Sequence, residues 1–171
     1  RGLGDVYKRQ KYKEQVFKVS SDVISFANDS SYNIVSKLQA LVDISEVKSV
    51  TVEYNGAEHT IDITHNDSDM TFVLDGQKVD TKTTQAIYKS IVGLAVDGVY
   101  KDETLGDTVM KIKYKGIKSS SDTEVEFKSI DDLYCALIRN GKTEFTIKKS
   151  KLNEFMDLFN TYVENPEKQG D

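Results

Sequence analysis

The sequence predicts an α+β fold made of two consecutive antiparallel-strand units, each ending in an amphipathic helix, a ββββα-like pseudo-repeat. Three observations predict it. Apolar residues alternate with polar ones in several short runs, the period of a half-buried strand. Asx-Gly dipeptides punctuate those runs at Asn55-Gly56, Asp75-Gly76 and Asn140-Gly141, the pair a type I′ hairpin turn demands. Two later segments switch to helical spacing with one apolar face. Setting "FVLDGQKVDTKTTQAIYKSIVGLAV" beside "ALIRNGKTEFTIKKSKLNEFMDLFNTYV" shows the same order twice: strand, Asx-Gly turn, short strand, helix.

The elements follow in chain order. Arg1 to Gln10, "RGLGDVYKRQ", reverse-translates to a transposase-type sequencing adapter. Residues 1–10 are therefore expected to be adapter-derived and not native, and are excluded from fold reasoning. Residues 11–44 are expected to be the end of a truncated upstream region plus a short helix. In it, Val16, Phe17 and Val19 form a strand with nothing before it to pair with. Ser30 to Ile44 has Ile34, Leu38, Leu41 and Val42 at helical spacing, with Ser30 or Ser31 as its cap.

Residues 45–98 form the first β-rich unit with its helix. Val50, Val52 and Tyr54 alternate, Asn55-Gly56 turns, and Ile61 and Ile63 return. Met70 to Leu74 is a third strand, and Lys78-Val79 a short extension after Asp75-Gly76. A helix runs from Thr81 to Val96, capped by Asp80 or Thr81 and closed by Gly98, with Ile87, Ile91 and Leu94 on its apolar face. Residues 99–165 form the second unit. Met110, Ile112 and Tyr114 alternate with Val109, Lys111 and Lys113. Val125 and Phe127 mark the next strand, and a hairpin turns at Asn140-Gly141. Ser150 caps a helix whose face is Leu152, Phe155, Met156, Phe159, Tyr162 and Val163. Residues 166–171 are a polar tail.

Charge excludes one function class. The chain has 23 basic and 28 acidic residues; with Arg1, Lys8, Arg9 and Asp5 set aside, these become 20 and 27. An acidic chain lacks the basic footprint of a phosphate-backbone binder, so no nucleic-acid partner is expected. One cysteine permits no intrachain disulfide. No stretch approaches the roughly 18 apolar residues of a spanning helix.

Few residue patterns point to chemistry. His59 and His65 are six apart in "HTIDITH" and share a face of an unbroken strand. They read as surface histidines on the polar face, opposite Ile61 and Ile63. A metal site there would need a third and fourth ligand, and Asp62 falls on the other face. "NDSDM", Asn66 to Met70, is acidic but lacks the glycine of a calcium loop and reads as a turn. Cys135 reads as a small buried hydrophobe, with no base nearby in sequence. Asp131 and Asp132 read as a turn. No catalytic, cofactor-binding or metal residues and no cofactor are assigned. Binding would sit on the exposed loops at Asn55-Gly56, Asn66 to Asp69, Ile117 to Asp122 and Asn140-Gly141.

"EVKSVTVEYNGAEHTIDI", "VLDGQKVDTKTTQAIYKSIVGL" and "DDLYCALIRNGKTEFTIKKSKLNEFMDLF" resemble the C-terminal part of the DUF4340 family over residues near 16 to 165. Tyr134, Asn140, Gly141, Phe145 and Lys148 to Lys149 occupy the family's closing pattern. Its usual tryptophan near the end of the third strand is absent, and Phe72 stands in its place. The resemblance implies an extracytoplasmic protein, anchored to the cell membrane through an N-terminal helix not contained in this chain. It implies protein partners among ABC-transporter components and carries no catalytic residue. The expected function is a non-enzymatic extracytoplasmic binding or assembly module, accessory to an ABC-type transport or surface system. The alternatives are a hydrolase or metal-dependent enzyme using His59 and His65, and a cell-surface structural or adhesive repeat.

Overall fold

The computed structural model describes residues 8–12, 15–19, 37–66, 69–118 and 121–165, the first two segments as backbone alone. The described residues fall into two units, one up to position 37 and one from position 38. In the first, β1 (Lys8–Tyr12) pairs antiparallel with β2 (Gln15–Val19). The strand from Gln15 therefore has a partner, contrary to the sequence expectation. The expected helix over Ser30 to Ile44 lies outside the described residues up to position 36. Beyond that, residues 38–40 form a turn, and Ile44–Glu46 is a single 3-10 turn capped by the Asp43 carboxylate.

The second unit is one nine-stranded antiparallel sheet with two helices, so the α+β class holds. Its strands are β3 (Val47–Tyr54), β4 (Ala57–Asn66), β5 (Asp69–Leu74), β6 (Gln77–Val79), β7 (Gly98–Val99), β8 (Thr108–Gly116), β9 (Thr123–Ser129), β10 (Tyr134–Arg139) and β11 (Lys142–Lys148). The spatial order is β6-β5-β4-β3-β8-β9-β10-β11-β7. Each half is a four-stranded meander, and β3 joins β8 at the centre with Val52 opposite Ile112. The three Asx-Gly turns form as expected. Asn55, Asp75 and Asn140 take φ of 51, 48 and 48°, and their glycines 77, 82 and 79°, the paired left-handed conformation of a type I′ turn.

Alternation decides which face is buried. Val50, Val52, Ile61, Phe72, Met110, Ile112, Tyr114, Val125, Phe127 and Ile147 all point to one side and form a single core with both helices. Each such side chain contributes about 1.5–3 kcal/mol on full burial.

Helix α1 (Thr81–Val92) starts where the Asp80 side chain accepts from Thr83 N, as the sequence predicts. It ends four residues early. Gly93 is its C-cap, and Gly98 starts β7. The chain must leave the helix to lay β7 against β11, and that pairing outweighs helix continuation. Helix α2 (Lys149–Glu164) buries Leu152, Phe155, Met156, Phe159 and Tyr162, while Val163 is only half-buried. Ser150 lies inside this helix and is not its cap. Lys148 occupies that position without a side-chain bond, because β11 runs directly into the helix. Among the described residues no helix is long and apolar enough to cross a membrane.

Candidate functional site

An antiparallel meander sorts its turns to two ends. The Asn55-Gly56 and Asp75-Gly76 turns lie at one end of the sheet. The strand ends flanking Asn66 to Asp69, Ile117 to Asp122 and Asn140-Gly141 lie at the other.

His59 and His65 do share a strand face, but it is the one that carries Ile61 and Ile63 and not the polar one; His59 is half-buried there, while His65 is exposed, so the expected surface position holds for His65. Positions 59, 61, 63 and 65 have the same parity, so both histidines project with Ile61 and Ile63. His59 packs on Tyr54 and Phe159, with ring centroids 5.8 and 6.0 Å away. Its Nδ1 is 2.6 Å from Asp75 Oδ2, and the other Asp75 oxygen accepts from Thr60 N at 2.7 Å. The Tyr54 hydroxyl donates to Asn160 Oδ1 on α2. His65 Nε2 carries a proton and donates to Val47 O at 2.7 Å, because a carbonyl only accepts. Six residues along a strand separate the two rings by about 20 Å. They do not converge, and Asp62 points to the opposite face, across from Ser49. Among the described residues no three His, Cys, Asp or Glu side chains are grouped to hold a metal.

Cys135 is fully buried, and burial pushes its thiol up from the ordinary value. It lies four strands from β4, about 19 Å at the usual spacing, so no histidine activates it. The Asp131 carboxylate accepts from Leu133 N and Tyr134 N, both at 2.7 Å. It makes the Asx turn the sequence suggests.

The sheet face away from the core carries charge in cross-strand register. Glu53 binds Lys113, which holds the carboxyl low and the ammonium high. Lys111 reaches Glu124 at 3.5 Å and Glu126 at 3.9 Å, and Lys128 reaches Glu126 at 4.0 Å. This ladder neutralises itself and keeps the face hydrated and partly exposed. A cavity of about 360 Å³ opens beside it at the Asn55-Gly56 turn, between Glu58 and Thr108.

A second cavity, about 230 Å³, lies at the Asn140-Gly141 turn. Arg139 lines it and donates from one Nη1 to Gln39 O at 2.7 Å. Sequence reading passes over Arg139, yet its signal is visible. In "FVLDG" the residue before the turn is Leu74, whereas in "LIRNG" it is Arg139.

No family model matches the chain, and neither a curated protein nor a solved structure does.

Proposed function

We propose that the chain is a non-enzymatic binding or assembly module, extracytoplasmic and membrane-anchored in its full-length form, accessory to an ABC-type transport or surface system as the DUF4340 resemblance implies. The observation that carries the module reading is the division of the sheet. One face packs against two helices, while the other presents a hydrated Glu–Lys ladder spanning β3, β8 and β9. Such a surface suits reversible, polar contact, in which a partner exchanges into the ion pairs, more than chemistry. The separation of His59 from His65 supports the same reading, since a catalytic pair must converge.

We also propose that the halves are a ββββα repeat. Two features support this. The meander β3–β6 followed by α1 has the same order as β8–β11 followed by α2. Each half also carries one matching clasp. Asp75 N donates to Thr60 O and Asp75 Oδ1 accepts from Thr60 N, at 2.9 and 2.7 Å. Asn140 N donates to Glu124 O and Asn140 Oδ1 accepts from Glu124 N, at 2.9 and 2.8 Å.

The test is genomic, then biochemical. The full gene and its neighbours are recovered, and the full-length protein is co-expressed with the adjacent ATPase and permease. Stable co-purification that weakens with salt and with Lys111→Glu plus Lys113→Glu supports the proposal. A locus without an ATPase–permease pair, or a complex that fails to form, refutes it.

A further inference from the structure

We propose that the cavity around Arg139 is a binding site for a small zwitterionic carboxylate of amino-acid size. The cavity has Leu137 and Phe145 as an apolar floor and Arg139, Lys142 and Glu144 as charged walls. Leu137 is 1 % and Phe145 6 % exposed. The Arg139 guanidinium is half-buried and uses one of its five N–H donors on Gln39 O. Among the described residues, Arg139, Lys142 and Glu144 make no ion pair, although all three line one cavity. The charges on the sheet ladder, by contrast, satisfy one another. A half-buried guanidinium presents a planar fork that matches a carboxylate with two parallel hydrogen bonds. Lys142 adds a second cation on that side, and Glu144 supplies a counter-charge for a ligand ammonium.

A second observation is independent of the cavity. The clasps at Asp75 and Asn140 align the hairpins residue for residue, which sets Arg139 against Leu74. Leu74 is 1 % exposed in the core, and Arg139 lies on the same core-facing side, opposite Val125. A charged residue at a position filled by leucine in the first hairpin breaks the local packing rule, and its one bond, to Gln39 O, leaves the rest of the guanidinium fork to something else. The proposal goes beyond the assembly role and stands or falls without it.

The test is amide NMR titration of the full chain with three probes: L-leucine, 4-methylpentanoate, which lacks the amine, and isoamylamine, which lacks the carboxylate. L-leucine is expected to give saturable shifts confined to Leu137 to Phe145 and Gln39. The carboxylate alone should bind about tenfold more weakly and the amine more weakly still, since the bidentate pair is the stronger contact. Arg139→Leu is expected to abolish the shifts while leaving the remaining spectrum in place. Arg139→Lys, which keeps the charge but loses the fork, should weaken binding about tenfold. It serves as the deciding variant if the leucine variant does not fold. Absence of saturable shifts with L-leucine overturns the proposal, as do shifts that survive both Arg139 variants or amine binding as tight as leucine binding.

Discussion

Replacing Asn140 and Asp75 in turn tests how much stability each hairpin clasp supplies. Asn140 sits at φ 48°, where a Cβ without a local polar partner costs about 1 kcal/mol. Its Oδ1 also accepts from Glu124 N at 2.8 Å, worth about 1 kcal/mol net. Asn140→Ala loses both and should destabilise the protein by about 2 kcal/mol, whereas Asn140→Gly loses only the bond, about 1 kcal/mol. Asp75 has the same backbone, φ 48°, but its carboxylate serves both Thr60 N and His59 Nδ1. Hydrogen bonds to charged groups are stronger, so Asp75→Ala should cost about 3 kcal/mol, discounted from the sum because the side chain is partly exposed. Urea denaturation measures each, as a midpoint shift at constant slope. Equal costs for Asn140→Ala and Asn140→Gly would remove the backbone-strain half of the argument. A cost for Asp75→Ala no larger than that for Asn140→Ala would show that the His59 pair adds nothing.

Cys135 should resist thiol reagents in the folded protein and react at the unfolding rate, because the thiol is fully buried and its ionisation is pushed up; fast labelling in native buffer would contradict this burial. Two tyrosines with buried hydroxyls should behave oppositely on conversion to phenylalanine. Tyr114 Oη donates to Ala40 O at 2.6 Å, so Tyr114→Phe strands a buried carbonyl and should cost about 1–3 kcal/mol in urea titrations. Among the described residues the buried Tyr88 Oη has no partner, so Tyr88→Phe should be neutral or stabilising by the same measure. Asp97 feels burial, which raises its pKa, but bonds from Lys151 Nζ and Lys148 N prevail and hold it below the ordinary aspartate value. Its contribution is complete above that value and is lost as pH falls through the lower folded value. Stability curves of the protein and Asp97→Asn should therefore differ at neutral pH and converge in acid; a constant gap would refute the linkage.

The hairpins were legible because a type I′ turn is a local demand. Two adjacent residues must take positive φ, and Asn-Gly or Asp-Gly states that outright. The core face of α2 was legible from spacing alone. The central β3–β8 pairing was not, since residues sixty positions apart are joined by sheet closure and no local signal fixes which meander edges meet. Helix ends were lost to the same cause. The pairing of Gly98–Val99 with β11 ends α1 at Val92, although the apolar spacing continues to Leu94, which is itself buried. The histidines are a different case. Their parity with Ile61 and Ile63 was in the sequence, and their character as polar residues argued for the wrong face. His59 is accommodated there by Asp75 and by the rings of Tyr54 and Phe159.

The proposed repeat makes each half a control for the other. Devices present in both, namely the meander, the Asx clasp and the apolar helix face, recur on different side chains and are therefore accounted for by folding. Departures between the halves require a separate cause. The two-residue Asn55-Gly56 turn corresponds to the longer connection after Gly116, where Gly116 N donates to Asp122 Oδ1 and a Cβ on Gly116 would meet Ser121 Oγ at 1.8 Å. That departure is structural, because the glycine is required by its own loop. The exchange of Leu74 for Arg139 has no such explanation in packing. Arg139→Leu restores the residue of the first hairpin, and burying its side chain in place of a half-satisfied guanidinium should raise stability by about 1 kcal/mol. A variant that gains stability and loses L-leucine binding would separate what the fold needs at that position from what the cavity needs. A variant that loses stability would place Arg139, through its bond to Gln39 O, among the residues that hold the sheet to the segment before it.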